Sequence, residues 1–336
     1  MGGGFAAAVR HVSGMRIAAV TPEEGADVDE AAAMVARYGG YEEDRVVLVS
    51  DAAAGTDVVR SGRVAVCPTP EVMAEIDGLD LVTDVTPSPA SGARTADAAI
   101  AAGKDVVLIN IEADVAVGRR LKRKAASAGV LYSVSSGDEP GCLMELWDFV
   151  KTLGYEPIVI GKGKNNPLNP DATPDTVREA SQRAGKDPYQ TASYVDGTKT
   201  MFELTCVANA TGCMPAVPGM TGPEADLTTV SDAFRLKSDG GWIESSGIVD
   251  YVQGSAMAGG VFVTVRVGDK RIADDLTYLK VGKGPYFTFF RPYHLGFLEA
   301  PIALARAYLD RETTLVPLDQ PVADVATVAK RDLQPG

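Results

Sequence analysis

Between residues 15 and 133, short apolar runs rich in Val, Ile and Leu alternate with Ala-rich segments of helical period, the pattern of βαβ units around a parallel sheet. Strands are expected at 15–20, 46–49, 79–85, 105–109 and 130–133, and helices at 28–38, 91–102 and 114–128. Asp114 is the expected cap of the last helix, while Gly103 and Gly129 stand where a left-handed residue ends two of them. Past Gly137 the texture changes. A helix at 143–153 and a strand at 156–160 lead into Gly161-Lys-Gly-Lys-Asn-Asn-Pro-Leu-Asn-Pro-Asp-Ala-Thr-Pro174, which reads as a long polar loop. A helix at 198–210 and strands at 248–254 and 260–267 follow. The expected fold class is α/β: a doubly wound parallel-sheet domain over 1–136, then an α+β domain over 137–315. A C-terminal segment, 316–336, returns toward the first domain.

Both chain ends are unusual for such a fold. The opening, Met1-Gly-Gly-Gly-Phe-Ala-Ala-Ala-Val-Arg-His11, passes from glycines into a helix and then a strand, which is the second half of a βαβ unit. It reads either as a flexible glycine leader or as the tail of a glycine-rich dinucleotide turn. At the other end, 323–329 reads as a strand or short helix, and Lys330-Arg-Asp-Leu-Gln-Pro-Gly336 stops on a turn signal.

Composition narrows the function classes. A chain of 336 residues suggests about two domains, and 46% hydrophobic residues with 23% charged excludes a disordered chain. A formal net charge of −13 opposes wide contact with nucleic acid or an anionic membrane. The four cysteines, Cys67, Cys142, Cys206 and Cys213, lack metal-ligand spacing and read as reduced, packed thiols. No signal peptide or membrane span is read, so the expected location is cytoplasmic.

Three segments carry a family likeness: Gly137-Asp-Glu-Pro-Gly141, Ser193-Tyr-Val-Asp-Gly-Thr-Lys199 and Gly284-Pro-Tyr-Phe-Thr-Phe-Phe-Arg-Pro-Tyr-His294. Gly103-Lys-Asp-Val-Val-Leu-Ile-Asn-Ile-Glu-Ala-Asp114 and Gly161-Lys-Gly-Lys164 support it. In these the chain resembles the homoserine-dehydrogenase-like oxidoreductases that include the 1-deoxy-D-xylulose 5-phosphate reductoisomerase-like enzymes. The resemblance runs over essentially the whole chain. It implies a Rossmann-type domain binding NADP or NAD, and an oxidation, reduction or reductive isomerisation of a small phosphorylated or acidic sugar derivative. It also implies a homodimer, with the apolar strand 260–267 as the face for a twofold partner. Measured against the family, the first Rossmann strand and a C-terminal SAF domain are the expected missing parts, with Gly2 and Gly4 matching the last glycines of the cofactor turn.

Lys199 and Glu203 stand four apart on one helical face, with Asp196 just before the helix. Alone this is an ordinary surface ion pair or cap. With the resemblance, Lys199 becomes the expected proton donor to a developing alkoxide, oriented and tuned by Glu203 and Asp196. Lys162, Lys164, Arg291 and His294 are the expected grips for an anionic substrate, and Asp138 joins them through the first motif. Tyr286, Phe287, Phe289 and Phe290 read as packing. At strand ends, Thr21, Thr86, Pro87, Asn110 and Glu112 are expected at the cofactor. The turn after the first strand holds neither an acid at Thr21-Pro22 nor an arginine, a lean toward NADP, with Glu23 or Glu24 as the alternative ribose ligand. No structural metal is expected, and a catalytic Mg or Mn is left open. The rivals are a sugar-acid oxidoisomerase, a homoserine-dehydrogenase-like enzyme, and a cofactor-free isomerase, lyase or binding protein.

Overall fold

The computed structural model describes residues 2–334, so Met1 and the Pro335-Gly336 end of the terminal turn lie outside the described residues. The chain divides into two compact units, one of residues 1–141 with 295–319, the other of 142–294 with 320–336. Where the pattern suggested boundaries at 136 and 315, each unit is therefore built from two stretches of chain.

The first unit is α/β with parallel sheets, as expected. Its elements are α1 (Gly2–Arg10), β1 (Ala19–Val20), α2 (Val28–Gly39), β2 (Val46–Leu48), α3 (Ala52–Arg60), β3 (Val64–Val66), α4 (Pro70–Ala74), β4 (Leu81–Val82), α5 (Pro89–Ala101), β5 (Asp105–Leu108), α6 (Ile111–Ala128) and β6 (Tyr132–Val134). The strands form two three-stranded sheets, ordered β1-β3-β2 and β4-β5-β6, with every pair parallel. Val106, Leu108, Ala65, Ile100 and Ile76 meet in one core against the helices. The returning stretch 295–319 adds a short helix whose Ala300, Ala303 and Leu304 pack with Phe5 and Val9 of α1.

Local chemistry explains the boundaries. The Ser88 hydroxyl accepts from the Ser91 amide and Pro89 sits in the first turn, which starts α5 before the expected residue 91. α6 also starts early, because Asn110, not Asp114, is its cap, accepting from the Ala113 amide at 3.0 Å. Asp114 lies inside the helix, buried, and accepts from the Tyr132 hydroxyl at 2.8 Å. Gly129 ends α6 at φ 72°, as expected. The expected strand 15–20 is regular only at Ala19–Val20, and the pattern missed α3, β3 and α4.

In the second unit, α7 (Glu139–Thr152), which begins in the first, leads to β7 (Glu156–Gly163). There follow α8 (Pro174–Arg183), α9 (Pro188–Val195), α10 (Thr198–Thr211), β8 (Met214–Pro215), α11 (Val230–Ala233), β9 (Ile248–Val252), β10 (Val261–Arg266), α12 (Lys270–Tyr278) and β11 (Tyr286–Arg291). They build a five-stranded mixed sheet ordered β11-β10-β7-β9-β8. One face packs Ile160, Val261, Val263 and Tyr251 against Leu143 of α7 and Leu204 of α10, and the other packs Phe262 and Val252 against Phe234. The strand expected to present a dimer face, 260–267, is thus an interior strand with both faces filled by the unit's own core. Residues 323–329, expected as a strand or short helix, form no regular element.

Candidate functional site

The segment Gly161-Lys-Gly-Lys164 is not the start of a loop: β7 runs on through Gly163. Pairing explains this, since Gly161 stands opposite Phe262 and Lys162 opposite Val261 on β10, while Lys162 also pairs with Tyr251 on β9. Side chains alternate along a strand, so the two glycines turn to one face and the two lysines to the other. The glycine face is crowded. A Cβ on Gly161 would lie 2.2 Å from the Asp250 carbonyl oxygen, and one on Gly163 only 1.8 Å from that of Met257.

The lysine face carries the chemistry. Lys162 is 4% exposed, and its ammonium is ion-paired with the equally buried Glu203 carboxylate of α10. Such a pair is held in low dielectric, where its charges act strongly on whatever lies beside them. Lys164, also buried, donates to the Tyr194 carbonyl oxygen at 2.7 Å. Burial first, and then the neighbouring Lys162 ammonium, hold Lys164 below the usual lysine range, against the opposing pull of Glu203 and Asp196. Asp196 accepts from Lys330 at 2.6 Å and from the Thr198 amide at 2.8 Å. Burial pushes its carboxyl up, but these hydrogen bonds outweigh burial and leave it below the usual carboxylate range. Glu203 is thus bonded to Lys162 and Asp196 to Lys330. Lys199 stands half-buried in the first turn of α10, one turn before Glu203.

Arg291 ends β11 opposite Val261, so its side chain lies on the same sheet face as Lys162. Its Nη1 donates to Glu145 Oε2 and to Cys142 Sγ, both at 3.1 Å, and its guanidinium lies 5.0 Å from the Tyr293 ring centroid. His294 donates from Nδ1 to the Gly259 carbonyl oxygen at 2.9 Å, which fixes its tautomer. Tyr286 and Phe287 are core, as expected.

In the first unit, Asp138 precedes α7 and is half-buried. The ends of β4 and β5 meet in a polar knot that pattern reading missed. Asp84, 4% exposed, accepts from Thr86 Oγ1 at 2.9 Å, the Thr86 amide at 3.1 Å and Asn110 Nδ2 at 3.0 Å. Burial is the largest influence on its carboxyl and pushes it up against the lowering effect of those bonds. Thr86 and Asn110 are thus anchored on a buried acid, while Pro87 is exposed in the turn and Glu112 lies in the first turn of α6. Thr21 makes only a long 3.4 Å contact to the Pro22 carbonyl oxygen. Near it, Glu24 holds an arginine that no local signal announced: Arg94 of α5, at 3.2 Å, which also grips Glu71 at 2.7 Å. α1 opens on glycines with no acidic residue in its first turn. Gly4 serves packing, since a Cβ there would come within 2.3 Å of the Phe297 ring, whereas at Gly2 the nearest atom is Met34 Cε at 3.4 Å.

The four cysteines are buried thiols, and burial pushes that of Cys67 up to about 12. Among the described residues no helix is long and apolar enough to cross a membrane.

Residues 137–300 match the family model described as oxidoreductase DRL, catalytic domain, which bears out the resemblance over that stretch. No curated protein matches the sequence. Among solved structures, 1-deoxy-D-xylulose 5-phosphate reductoisomerase from Zymomonas mobilis, in complex with NADPH, is 15% identical over 60% of this chain and 53% of that one, with a TM-score of 0.38. A probable dehydrogenase from Thermotoga maritima is 13% identical over 93% of this chain and 86% of its own, with a TM-score of 0.44. The chain thus spans about half the length of the reductoisomerase it matches.

Proposed function

We propose that this chain, whose residues 137–300 belong to the DRL oxidoreductase family, is a nicotinamide-nucleotide-dependent oxidoreductase acting on a small phosphorylated or acidic sugar derivative. The observation that carries the reading is the buried Lys162–Glu203 ion pair with Lys164 beside it on one sheet face. In a chain of net charge −13, buried lysines are costly unless they meet charge or move protons.

The residues of the first unit fit a dinucleotide. α1 presents first-turn amides with no carboxylate in that turn, suited to a pyrophosphate. The rigid turn built by Asp84, Thr86 and Asn110 lies at strand ends, where doubly wound folds take ligands. Arg94, exchangeable from its exposed carboxylate partners, suits a 2′-phosphate and favours NADP over NAD. A bound nicotinamide supplies or accepts the hydride.

The second unit's side chains do the rest. Lys164, held below the ordinary lysine range, gives a proton from Nζ to a forming alkoxide at moderate pH more readily than a solvated lysine does. The Lys162 ammonium, kept charged and fixed by Glu203, stabilises negative charge developing on substrate oxygens, including an enediolate if the carbon skeleton rearranges. Lys199, one turn before Glu203, is the second proton-donor candidate. Arg291, oriented by Glu145, and His294, with its tautomer set by Gly259, serve the substrate's phosphate or carboxylate.

Titration with NADPH and with NADH, followed by Trp147 and Trp242 fluorescence, tests the reading. Saturable binding of one nucleotide is expected, and then turnover of a phosphorylated ketose, 1-deoxy-D-xylulose 5-phosphate being the first to assay. No response at millimolar nucleotide overturns it.

A further inference from the structure

The stretch 320–334 of the second unit is tied to α10 at both ends. Near the C-terminal end of that helix the buried Asn209 side chain takes three backbone groups. Its Oδ1 accepts from the Val322 and Ala323 amides at 2.8 and 3.0 Å, and its Nδ2 donates to the Ala323 carbonyl oxygen at 3.1 Å. Val322 and Ala323 pack there against the unit's core. Just before the first turn of α10, Lys330 donates to Asp196 Oδ2 at 2.6 Å and to the Ala172 carbonyl oxygen. The lengths agree, since a helix of 14 residues is about 21 Å long, and the seven steps from Ala323 to Lys330 span at most about 25 Å when extended. An amide buried to hold backbone at one end, and a lysine that closes the other, make this stretch a strap with a charged tip.

The tip lies beside Lys164. Lys164 donates to the carbonyl of Tyr194 in the last turn of α9, and Asp196 follows two residues later as the cap of that helix. Charged groups act on Lys164 from three elements: Lys162 on its own strand, Glu203 of α10, and Asp196 at the corner between α9 and α10. Tyr194 and Lys199 are the other titratable side chains on the two helix ends that meet at this corner, and Asp171, next to Ala172, is exposed. Of the two acids that attract Lys164, Glu203 is bonded to Lys162, and Asp196 is engaged by Lys330 and the Thr198 amide. We propose that Lys330 is a positioning residue for Lys164: it holds the Asp196 carboxylate on the strap and keeps that acid from pairing with the Lys164 ammonium, which stays a ready proton donor. This role rests on the reading of Lys164 as a proton donor given above. Every consequence of losing Lys330 has one sign. A cation leaves the neighbourhood, the Asp196 carboxylate is released toward Lys164, and water enters under the strap, and each of these stabilises the charged ammonium. Neutralising Asp196 has the reverse effect, because an attraction is lost while Lys330 remains.

The full chain carrying ¹³C-labelled lysine tests this. The Lys164 Cε resonance, assigned by its loss in Lys164→Arg, is followed by NMR from about pH 6 to about pH 11, across the lysine range. Lys330→Met is expected to raise the Lys164 midpoint by about one pH unit and Asp196→Asn to lower it, while Lys330→Arg leaves it near that of the unaltered protein. In the Asp196→Asn background the Lys330→Met shift is expected to shrink to less than half. An unmoved or lowered midpoint in folded Lys330→Met overturns the proposal. So does an equal shift in both backgrounds, because the strap then acts by shielding Lys164 from water and not through Asp196. Neither nucleotide nor substrate is present in the titration. A shifted midpoint in a protein that gives no NADPH response therefore upholds the coupling and overturns the proposed activity alone.

Discussion

Lys162 and Arg291 stand on the same face of the second unit's sheet, each in register with Val261 of the strand between them. The two residues are 129 positions apart in the chain, yet the ladder sets their backbones two strand spacings apart, about 10 Å.

Arg291→Lys keeps the charge but loses the planar fork. It is expected to raise KM for an anionic substrate roughly 10- to 100-fold, the loss of about 1.5–3 kcal/mol of charged hydrogen bonding, with kcat changed less. Steady-state kinetics separates the two, and a fall in kcat at constant KM contradicts a binding role.

Lys162→Met strands the Glu203 carboxylate in the interior, and a loss of about 3–5 kcal/mol in urea unfolding is expected. The double variant Lys162→Met/Glu203→Leu removes both charges and is expected to recover most of that stability without recovering turnover. A double variant that is stable and active would show the pair to be structural only.

Lys164 is held below the usual lysine value by burial and by Lys162. Activity that needs its proton should therefore fall on the basic side before the ordinary lysine pKa of about 10.4 is reached. Between the depressed value and that figure the unfolded chain binds more protons, so stability should rise with pH across this interval. Lys164→Arg, charged throughout, is expected to abolish both trends, and an unchanged pH profile of kcat/KM would remove Lys164 from the proton path.

Asp84 shows the opposite sign. Its folded carboxyl lies above the usual value, so from about pH 3.9 upward to that raised value the folded state holds more protons and stability falls as pH rises. Asp84→Asn keeps an acceptor for Thr86 and Asn110 and is expected to be neutral or stabilising at pH 7. Asp84→Ala leaves the Asn110 amide and Thr86 without it, at a cost of about 1–3 kcal/mol. Thermal melts of both variants from pH 3 to pH 8 check the order.

Local rules served where local chemistry decides. Gly103 and Gly129 adopt the left-handed conformation expected of them, and α2 and α10 lie within a residue of their expected spans. Elements of three residues such as Val64–Val66 are too short to show a period, which hid β3. The misreading of Gly161-Lys-Gly-Lys164 has a different cause. Glycine signals a turn in sequence, but here it answers the close approach of the Asp250 and Met257 carbonyls, which come from about ninety residues downstream. The Lys162–Glu203 pair spans 41 positions, and Arg94 reaches Glu24 over 70, separations at which no spacing rule operates. Asn110, expected at the cofactor, is also the cap of α6, a role legible in the Asn-Ile-Glu-Ala order.

The discontinuity of the first unit bears on how the protein emerges from the ribosome. At the edge of β6 the Ser133 hydroxyl accepts from the Thr314 amide, and the Val134 amide donates to the Leu315 carbonyl oxygen, partners made 181 residues later. At about 5–20 residues per second this edge stays open for roughly ten to forty seconds of synthesis. Most of the second unit, residues 142–294, is translated within that interval. The order of synthesis therefore delivers residues 142–294 before the first unit is closed, while the second unit waits for its own last stretch, 320–336, and a chaperone acting on the nascent chain would meet the exposed edge of β6.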